Sequence, residues 1–298
     1  MDLTARKLIL DLLTTVRRGA MPVRALVEAG ELFGFAANNV RVSLSKLTAE
    51  GRVDRDERGR YRLAPATAAL AQRLRSWRRL EEQQRAWRGG WIAVHRSKRG
   101  RGAARARSDR ALALLGFREL ERGLHVRPDN LVGGVAGARE RYLALAAGGR
   151  ESSAPEPDDA TLVYGMVDLD APTRGRAEGL WVPDVLFAGY RHWVERLAAS
   201  RDRLASLSPQ AAMVETFRVG GAAVRHLQFD PLLPVELLDP KPRQDLIAAM
   251  RSYDELGRLQ WAPFLDRHEV PSFRARDGWR AGVSEIPDAA LEGMRIEC

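Results

Sequence analysis

The chain has 298 residues, 45% of them apolar and 29% charged, a formal net charge of +9, and a single cysteine, Cys298. No run approaches the roughly 20 apolar residues of a membrane span, Met1-Asp2-Leu3-Thr4-Ala5-Arg6-Lys7 has no apolar signal core, and a lone cysteine excludes a disulfide framework or a Cys-based metal site within one chain; the expectation is a cytoplasmic globular protein with no membrane partner. Charge is unevenly spread: residues 1–150 hold 31 Lys/Arg against 15 Asp/Glu, and residues 151–298 hold 17 against 24, so a polyanion is expected to meet the first half while the second does different work.

Residues 1–64 read as three short amphipathic helices and a hairpin. The first helix is predicted to start at Thr4, a favoured N-cap type, to carry Leu8, Leu10, Leu12 and Leu13, and to end near Val16, where Arg17 and Arg18 suit a helix C-terminus. Pro22 suits the first turn of a second helix, with Val23, Leu26, Val27 and Leu32, that stops at Gly34; Phe33 and Phe35 are predicted core. In the third, Ala37 to Leu47, the helical period puts Val40, Leu44 and Leu47 on one face and Asn38, Asn39, Arg41, Val42, Ser45 and Lys46 on the other. A solvated face of Asn, Arg, Ser and Lys carries the groups that hydrogen-bond base edges and phosphates. After Gly51, two short strands around Asp56-Glu57-Arg58-Gly59 make an arginine-rich wing with Arg55, Arg58, Arg60 and Arg62. The outline is a winged helix-turn-helix.

Over residues 65–88 the spacing of Leu70, Leu74, Trp77 and Leu80 predicts a long linker or dimerisation helix whose seam packs within the chain or on a second subunit. Gly89-Gly90 break it, and Trp91 to His95 read as a buried strand. Residues 96–110 hold Arg96, Lys98, Arg99, Arg101, Arg105, Arg107 and Arg110 against Asp109 alone, which predicts a basic loop, either touching phosphates or simply solvated. A helix ending near Leu115, one or two strands between Phe117 and Val126, a helix from about Ala136 to Ala147, an exposed loop at 150–159 and a strand at 161–167 follow. This β-α-β-α-β order over residues 89–172 fits a ferredoxin-like α+β domain. Residues 173–298 read as all-α, with helices near 181–207, 210–228 and 241–259, and Pro231, Pro234, Pro240 and Pro242 stiffening the last connection. The fold class is α+β and multidomain.

Enzyme motifs are missing: there is no G-x-S-x-G, P-loop or H-E-x-x-H, and the glycines of Val132–Gly137 lack dinucleotide spacing. His95, His125, His192, His226 and His268 are scattered, so each reads as structural. Asp168 and Asp170 suit a metal or, more simply, a helix cap. No enzyme activity, metal or cofactor is expected. For an effector, one C-terminal helix offers Tyr190, Arg191, His192 and Trp193 and the next offers Arg218, Arg225 and His226. Arginine meets phosphate or carboxylate and aromatics line a slot; core aromatics and a solvated arginine face are the alternative.

The segment Asn39–Leu47 with Gly59-Arg60-Tyr61-Arg62-Leu63 resembles the winged helix of PaaX-type repressors, regulators of bacterial phenylacetate catabolism. Gly90–His95, Leu115-Gly116-Phe117 and Phe229-Asp230-Pro231-Leu232-Leu233-Pro234-Val235-Glu236-Leu237-Leu238 extend the resemblance in family order from about residue 4 to residue 265. It implies an N-terminal winged helix, a central domain similar to the ferredoxin-like subunit of CRISPR adaptation complexes, and a helical C-terminal domain. It also implies a homodimer that leaves its operator when an aromatic acyl-CoA binds, phenylacetyl-CoA in the best-known members. One departure follows Leu238: where the family has a Trp-Pro-Gly-containing stretch, this chain has Asp239-Pro240-Lys241-Pro242-Arg243. In nuclease relatives of such a central domain the first strand carries a metal-binding Asp, and Trp91–His95 holds no acid.

These residues point first to a homodimeric repressor that binds an inverted repeat in double-stranded DNA and answers to a small effector. The competing reading is an RNA-binding or degenerate nuclease-like protein acting through the basic central domain.

Overall fold

The computed structural model describes residues 3–16, 20–68, 75–96, 102–147 and 161–271. Leu70, Leu74, Lys98, Arg99, Arg101, the loop predicted at 150–159 and Cys298 lie outside them. Thr4 caps α1 (Ala5–Thr15) by accepting from the Lys7 amide at 3.3 Å, and Leu8, Ile9, Leu12 and Leu13 are at most 2% exposed. β1 (Ala20–Pro22), which no sequence pattern signalled, runs into α2 (Val23–Leu32), with Pro22 at the N-cap. In α3 (Ala37–Ala49), Val40, Leu44 and Leu47 are buried. β2 (Val53–Arg55) and β3 (Arg60–Leu63) pair antiparallel with Arg55 opposite Tyr61, and β1 adds to the other edge of β3 with Ala20 opposite Arg62. Asp56 closes the hairpin by accepting from the amides of Arg58 at 3.0 Å and Arg60 at 2.8 Å, while Gly59 takes φ +71°, which favours glycine.

The long helix predicted over 65–88 does not form at 75–83. Two short 3-10 segments, Arg75–Arg79 and Glu81–Gln83, stand there, and Gln84 makes an isolated antiparallel bridge with Leu131. Tertiary bonds compete with the local helix: Arg78 pairs with Asp254, Arg251 donates to the Arg78 carbonyl at 2.6 Å, and Gln84 donates to the carbonyls of Leu232 and Leu233 at 3.0 and 3.2 Å. Trp77 and Leu80 are buried within the chain's own core.

The central unit runs β4 (Trp91–Arg96), α4 (Gly102–Leu114), β5 (Arg118–Glu121), β6 (Leu124–Pro128), α5 (Gly134–Ala147) and β7 (Thr161–Met166). Its sheet has the order β5-β6-β4-β7, all antiparallel. Strand alternation sends Ile92 and Val94 to a core with Leu112, Phe117 and Tyr142, and Trp91 and Ala93 to the opposite face, against the C-terminal helices. The basic loop predicted at 96–110 is a correction: residues 102–110 are helical. Ala103, Ala104 and Ala106 are strong helix formers, and Asp109 takes Arg96 at 2.7 Å and Arg105 at 3.5 Å.

A helix that periodicity missed follows, α6 (Ala171–Glu178), capped by Asp170, whose carboxylate accepts from the Thr173 amide at 2.6 Å. Hydrogen bonding from the Thr173 side chain and then from its amide holds the Asp170 carboxyl below its ordinary range. The capping alternative for this acid is therefore the one the structure displays. α7 (Pro183–Leu204), α8 (Pro209–Gln228) and α9 (Lys241–Arg267) complete the chain. α9 runs past the predicted end near Leu259 and across Pro263 because Trp261 and Phe264 are buried in the core of α1–α3. There Phe33 meets Phe217 edge-on at 5.1 Å and stacks with Trp261 at 6.5 Å, and the Trp261 indole donates to Met213 O at 3.0 Å. Glu28 of α2 pairs with Arg267 and lies 2.8 Å from His268 Nε2.

The proline-rich run 229–234 joins the connecting segment, the central unit and the C-terminal helices. Arg127, 1% exposed, donates to the carbonyls of Leu115, Pro128 (3.1 Å) and Pro231 (3.3 Å) and to Asn130 Oδ1 (2.9 Å). Burial among neutral acceptors pulls its pKa down to about 9. Asn130 donates to Leu232 O at 2.7 Å. Asp230 accepts from the Tyr190 hydroxyl at 2.6 Å and the Leu232 amide at 2.7 Å, with Arg243 at 3.6 Å. Gly116 has φ +74°, and a Cβ there would stand 2.8 Å from Pro231 Cα, so only glycine lets the run approach β5 this closely.

Two outcomes follow from this packing. Asp230→Ala leaves Tyr190, the Leu232 amide and Arg243 without their buried partner and is expected to cost about 3 kcal/mol of stability in urea unfolding. Asp11 of α1 is held above the ordinary carboxylate range by burial, partly offset by Lys7 and Arg225. A folded-state pKa above the unfolded one means the charged form opposes folding once pH exceeds that range. Asp11→Asn should therefore raise the melting temperature at about pH 7, and the gain should vanish near the pH where the unfolded carboxyl protonates, about 4.

Candidate nucleic-acid interface

The buried stripe of Val40, Leu44 and Leu47 fixes how α3 is turned, and the rest of the helix follows from 3.6 residues per turn. Asn38, Asn39, Arg41, Val42, Ser45 and Lys46 are all exposed, Val42 at 43%. Among the described residues neither Arg41 nor Lys46 is held in an ion pair. Arg6 of α1 donates to Glu50 at 2.9 Å and ties the end of α3 to the start of α1. Beside them lies an open hollow of about 340 Å³, lined by Leu3, Thr4, Phe35, Asn39, Val42 and Ser43 among others. An apolar methyl and a carboxamide side by side match what the major groove offers at a thymine methyl and an adenine edge.

The four wing arginines separate. β3 alternates, so Arg60 and Arg62 share the face opposite Tyr61 and Leu63, and the latter two pack on the helices. Arg58 is exposed at the tip and Arg62 is exposed on its face. Arg55, also exposed, lies over the Tyr61 ring at 5.9 Å. Arg60 donates to the Glu269 carbonyl at 2.7 Å, just past the end of α9. Sequence patterning groups all four; only the fold shows that one of them is bonded to the C-terminal helix.

The six effector candidates fall in three places. Tyr190 is 1% exposed and bound to Asp230, and burial and that carboxylate raise its pKa. His226 lies between Tyr190 at 6.0 Å and Trp193 at 6.2 Å, over Gly189, where a Cβ would stand 2.9 Å from its ring; burial lowers its pKa, against the opposing charge of Asp230. Arg191 is exposed on α7. Arg218 and Arg225 are seven apart on α8, hence on one side of it; Arg218 lies over Phe33 of the N-terminal unit at 5.7 Å, and burial and then the charge of Arg225 lower the pKa of Lys7, while Lys7 and Arg225 offset part of the rise that burial gives Asp11. Arg218 also edges a second hollow of about 340 Å³ with Leu32, Leu207, Val214 and Glu215. The residues that join the units, Gln84, Arg127, Asn130 and Arg243, carry no sequence signal of their own; only the Phe229–Leu238 run marks the place.

Among the described residues no group of three His, Cys, Asp or Glu side chains is placed to hold a metal ion, and no helix is long and apolar enough to cross a membrane. β4 carries no acid.

Comparison with curated proteins gives no match. Among solved structures the chain is similar to the uncharacterized protein Rv0674 from Mycobacterium tuberculosis, at 25% identity and a TM-score of 0.57, over 90% of this chain and 100% of that one. The model of one protein family, described as PaaX-like protein, matches residues 4–67, the stretch that holds α1, α2, α3 and the hairpin of β2 and β3. By that match, the part of the chain carrying the polar face of α3 and the arginine wing is PaaX-like.

Proposed function

We propose that this chain is a DNA-binding transcriptional regulator whose N-terminal unit works as a winged helix-turn-helix. The observation that carries this reading is the exposed face of α3, Asn38, Asn39, Arg41, Val42, Ser45 and Lys46, on a helix locked by Val40, Leu44 and Leu47, within the stretch similar to a family of regulators. α3 enters the major groove, Asn39 and Arg41 read base edges, Lys46 meets phosphate, and Arg58 and Arg62 of the wing reach backbone or minor groove. The chain acts as a homodimeric repressor, two α3 helices roughly 34–36 Å apart matching an inverted repeat. The β-α-β-β-α-β central unit is a ferredoxin-like platform and the α-helical unit receives a small effector, an aromatic acid or its acyl-CoA, on the α7–α8 face where Trp193 and His226 meet.

Gel shifts on duplex DNA enriched from a random pool by the full chain test the core of this reading. Asn39→Ala with Arg41→Ala is expected to lower site-specific affinity by about 2–6 kcal/mol, at 1–3 kcal/mol for each lost base contact, while the melting temperature stays near that of the parent; unchanged site preference would refute the assignment of α3. For the effector, a thermal-shift screen of aromatic acids and their acyl-CoAs is expected to raise the melting temperature for one class, since binding to the folded state alone stabilises it. Trp193→Ala should abolish that rise.

A further inference from the structure

Val42 is an apolar side chain in the middle of an otherwise polar face. At 3.6 residues per turn it stands roughly 140–160° around α3 from each of Val40, Leu44 and Leu47, so it points away from the core and is 43% exposed. Asn39 and Lys46 flank it on one side and Asn38 and Ser45 on the other, all of them exposed. A β-branched side chain is a weaker helix former than alanine or lysine, and Val42 is not among the residues of the N-terminal core. Nor is it an isolated apolar residue of the kind any surface carries. It continues into the hollow of about 340 Å³, whose other apolar walls are Leu3, Ala5 and Phe35, with Asn39 beside it.

Duplex DNA offers such a side chain a single chemical partner among its base edges. Every group displayed in the major groove is a hydrogen-bond donor or acceptor except the C5-methyl of thymine, and the minor groove displays no methyl. Charge selects DNA over a second protein chain as the occupant. Two copies of this face would set Arg41 and Lys46 against like charges, whereas a duplex brings phosphates along both sides of its groove. The hollow stands at the lower end of ligand-binding pockets, roughly 300–1,000 Å³, so it has room for the edge of a nucleotide together with its methyl.

We propose that Val42, backed by Leu3 and Phe35, receives the C5-methyl of one thymine in the segment read by α3 and makes this chain selective for a 5-methylated pyrimidine at that position. This rests on the winged-helix reading and adds a specificity determinant to it. Asn39, three residues earlier and lining the same hollow, supplies the hydrogen bond that an apolar contact cannot, so the pair reads a methyl and a polar edge together. Taking the methyl from a thymine leaves every hydrogen-bonding group of the base pair in place. The contact made by Val42 is thereby separable from those made by Asn39 and Arg41.

Fluorescence anisotropy of the full chain on the duplex enriched from a random pool, with each thymine in turn replaced by deoxyuridine, reads this contact directly. One position is expected to show about a fourfold loss of affinity, the worth of burying one methyl-sized group, while uracil elsewhere binds as thymine does. Cytosine at that position weakens binding, and 5-methylcytosine recovers about fourfold of the loss. Val42→Ala should weaken binding to the parent duplex and bring thymine and uracil to equal affinity at that position alone, with a melting temperature near the parent's because the side chain lies outside the core. An enriched site without thymine, equal binding of thymine and uracil at every position, or a thymine preference that survives Val42→Ala overturns the proposal. If that preference survives while light scattering shows Val42→Ala to change the oligomeric mass, the face belongs to a second copy of the chain instead. The winged-helix reading fails separately, through site preference that survives Asn39→Ala with Arg41→Ala; loss of site preference in that variant, beside equal binding of thymine and uracil by the parent, sinks the Val42 contact alone.

Discussion

Two backbone carbonyls and one carboxylate hold this chain in its shape. The carbonyls of Pro231 and Leu232 accept from Arg127 and Asn130 of the central unit and from Gln84 of the connecting segment, and Asp230 takes Tyr190 of α7 and faces Arg243 of α9. Four separate stretches of sequence therefore end on the same short run. Arg127 is taken out of water without a carboxylate partner, which costs several kcal/mol before its hydrogen bonds offset it. Leu232 sits at φ +50°, a backbone state that costs a non-glycine residue roughly 1–3 kcal/mol. A run that absorbs both costs is held by everything around it, and its value is that the units can meet in only one way.

α9 carries that constraint to the N-terminal unit. Its 27 residues span roughly 40 Å, from Arg243 at the junction to Trp261, Phe264 and the Glu28 contacts in the N-terminal core. Arg60, bonded just past the end of α9, places one wing strand under the same control. A shift in the packing around α7–α8 reaches the N-terminal unit only through elements that touch both, and α9 is such an element. The His226–Trp193 contact lies on the neighbouring pair of helices, near the end of α8 and four residues before Asp230.

Legibility in the sequence tracks how local the cause is. The hydroxyl of Thr4, the alternation of Val40, Leu44 and Leu47, and the Asp56–Gly59 turn act within a few residues, so α1, α3 and the wing lie close to where patterning puts them. The seam of Trp77 and Leu80 has helical spacing too, yet Trp77 lies in a 3-10 turn and Leu80 between two of them, because Asp254, Arg251 and Leu232, distant in sequence, bond to Arg78 and Gln84. Residues 102–110 show the reverse error: a run of arginines looks like a loop by charge alone, while their alanines and Asp109 make it a helix. Tyr190, by type a slot residue, is 1% exposed with its hydroxyl donating to Asp230, a partner that periodicity does not reveal.

By itself the sequence determined the chemistry of each face: which side of α3 is polar, where arginines concentrate, that the first half is basic and the second acidic, and that Phe229–Leu238 is a marked stretch. The tertiary structure decided which of those groups meet. It tied Arg60 to the end of α9 and left Arg58 and Arg62 exposed, and it sent Arg218 to Phe33 of the N-terminal unit and His226 to Tyr190 and Trp193 of α7. The reason is physical: a helix or strand sets its own periodicity through bonds between near neighbours, whereas the partner of each face is set by burial and by the hydrogen bonds that buried polar groups must find, wherever in the chain their partners lie.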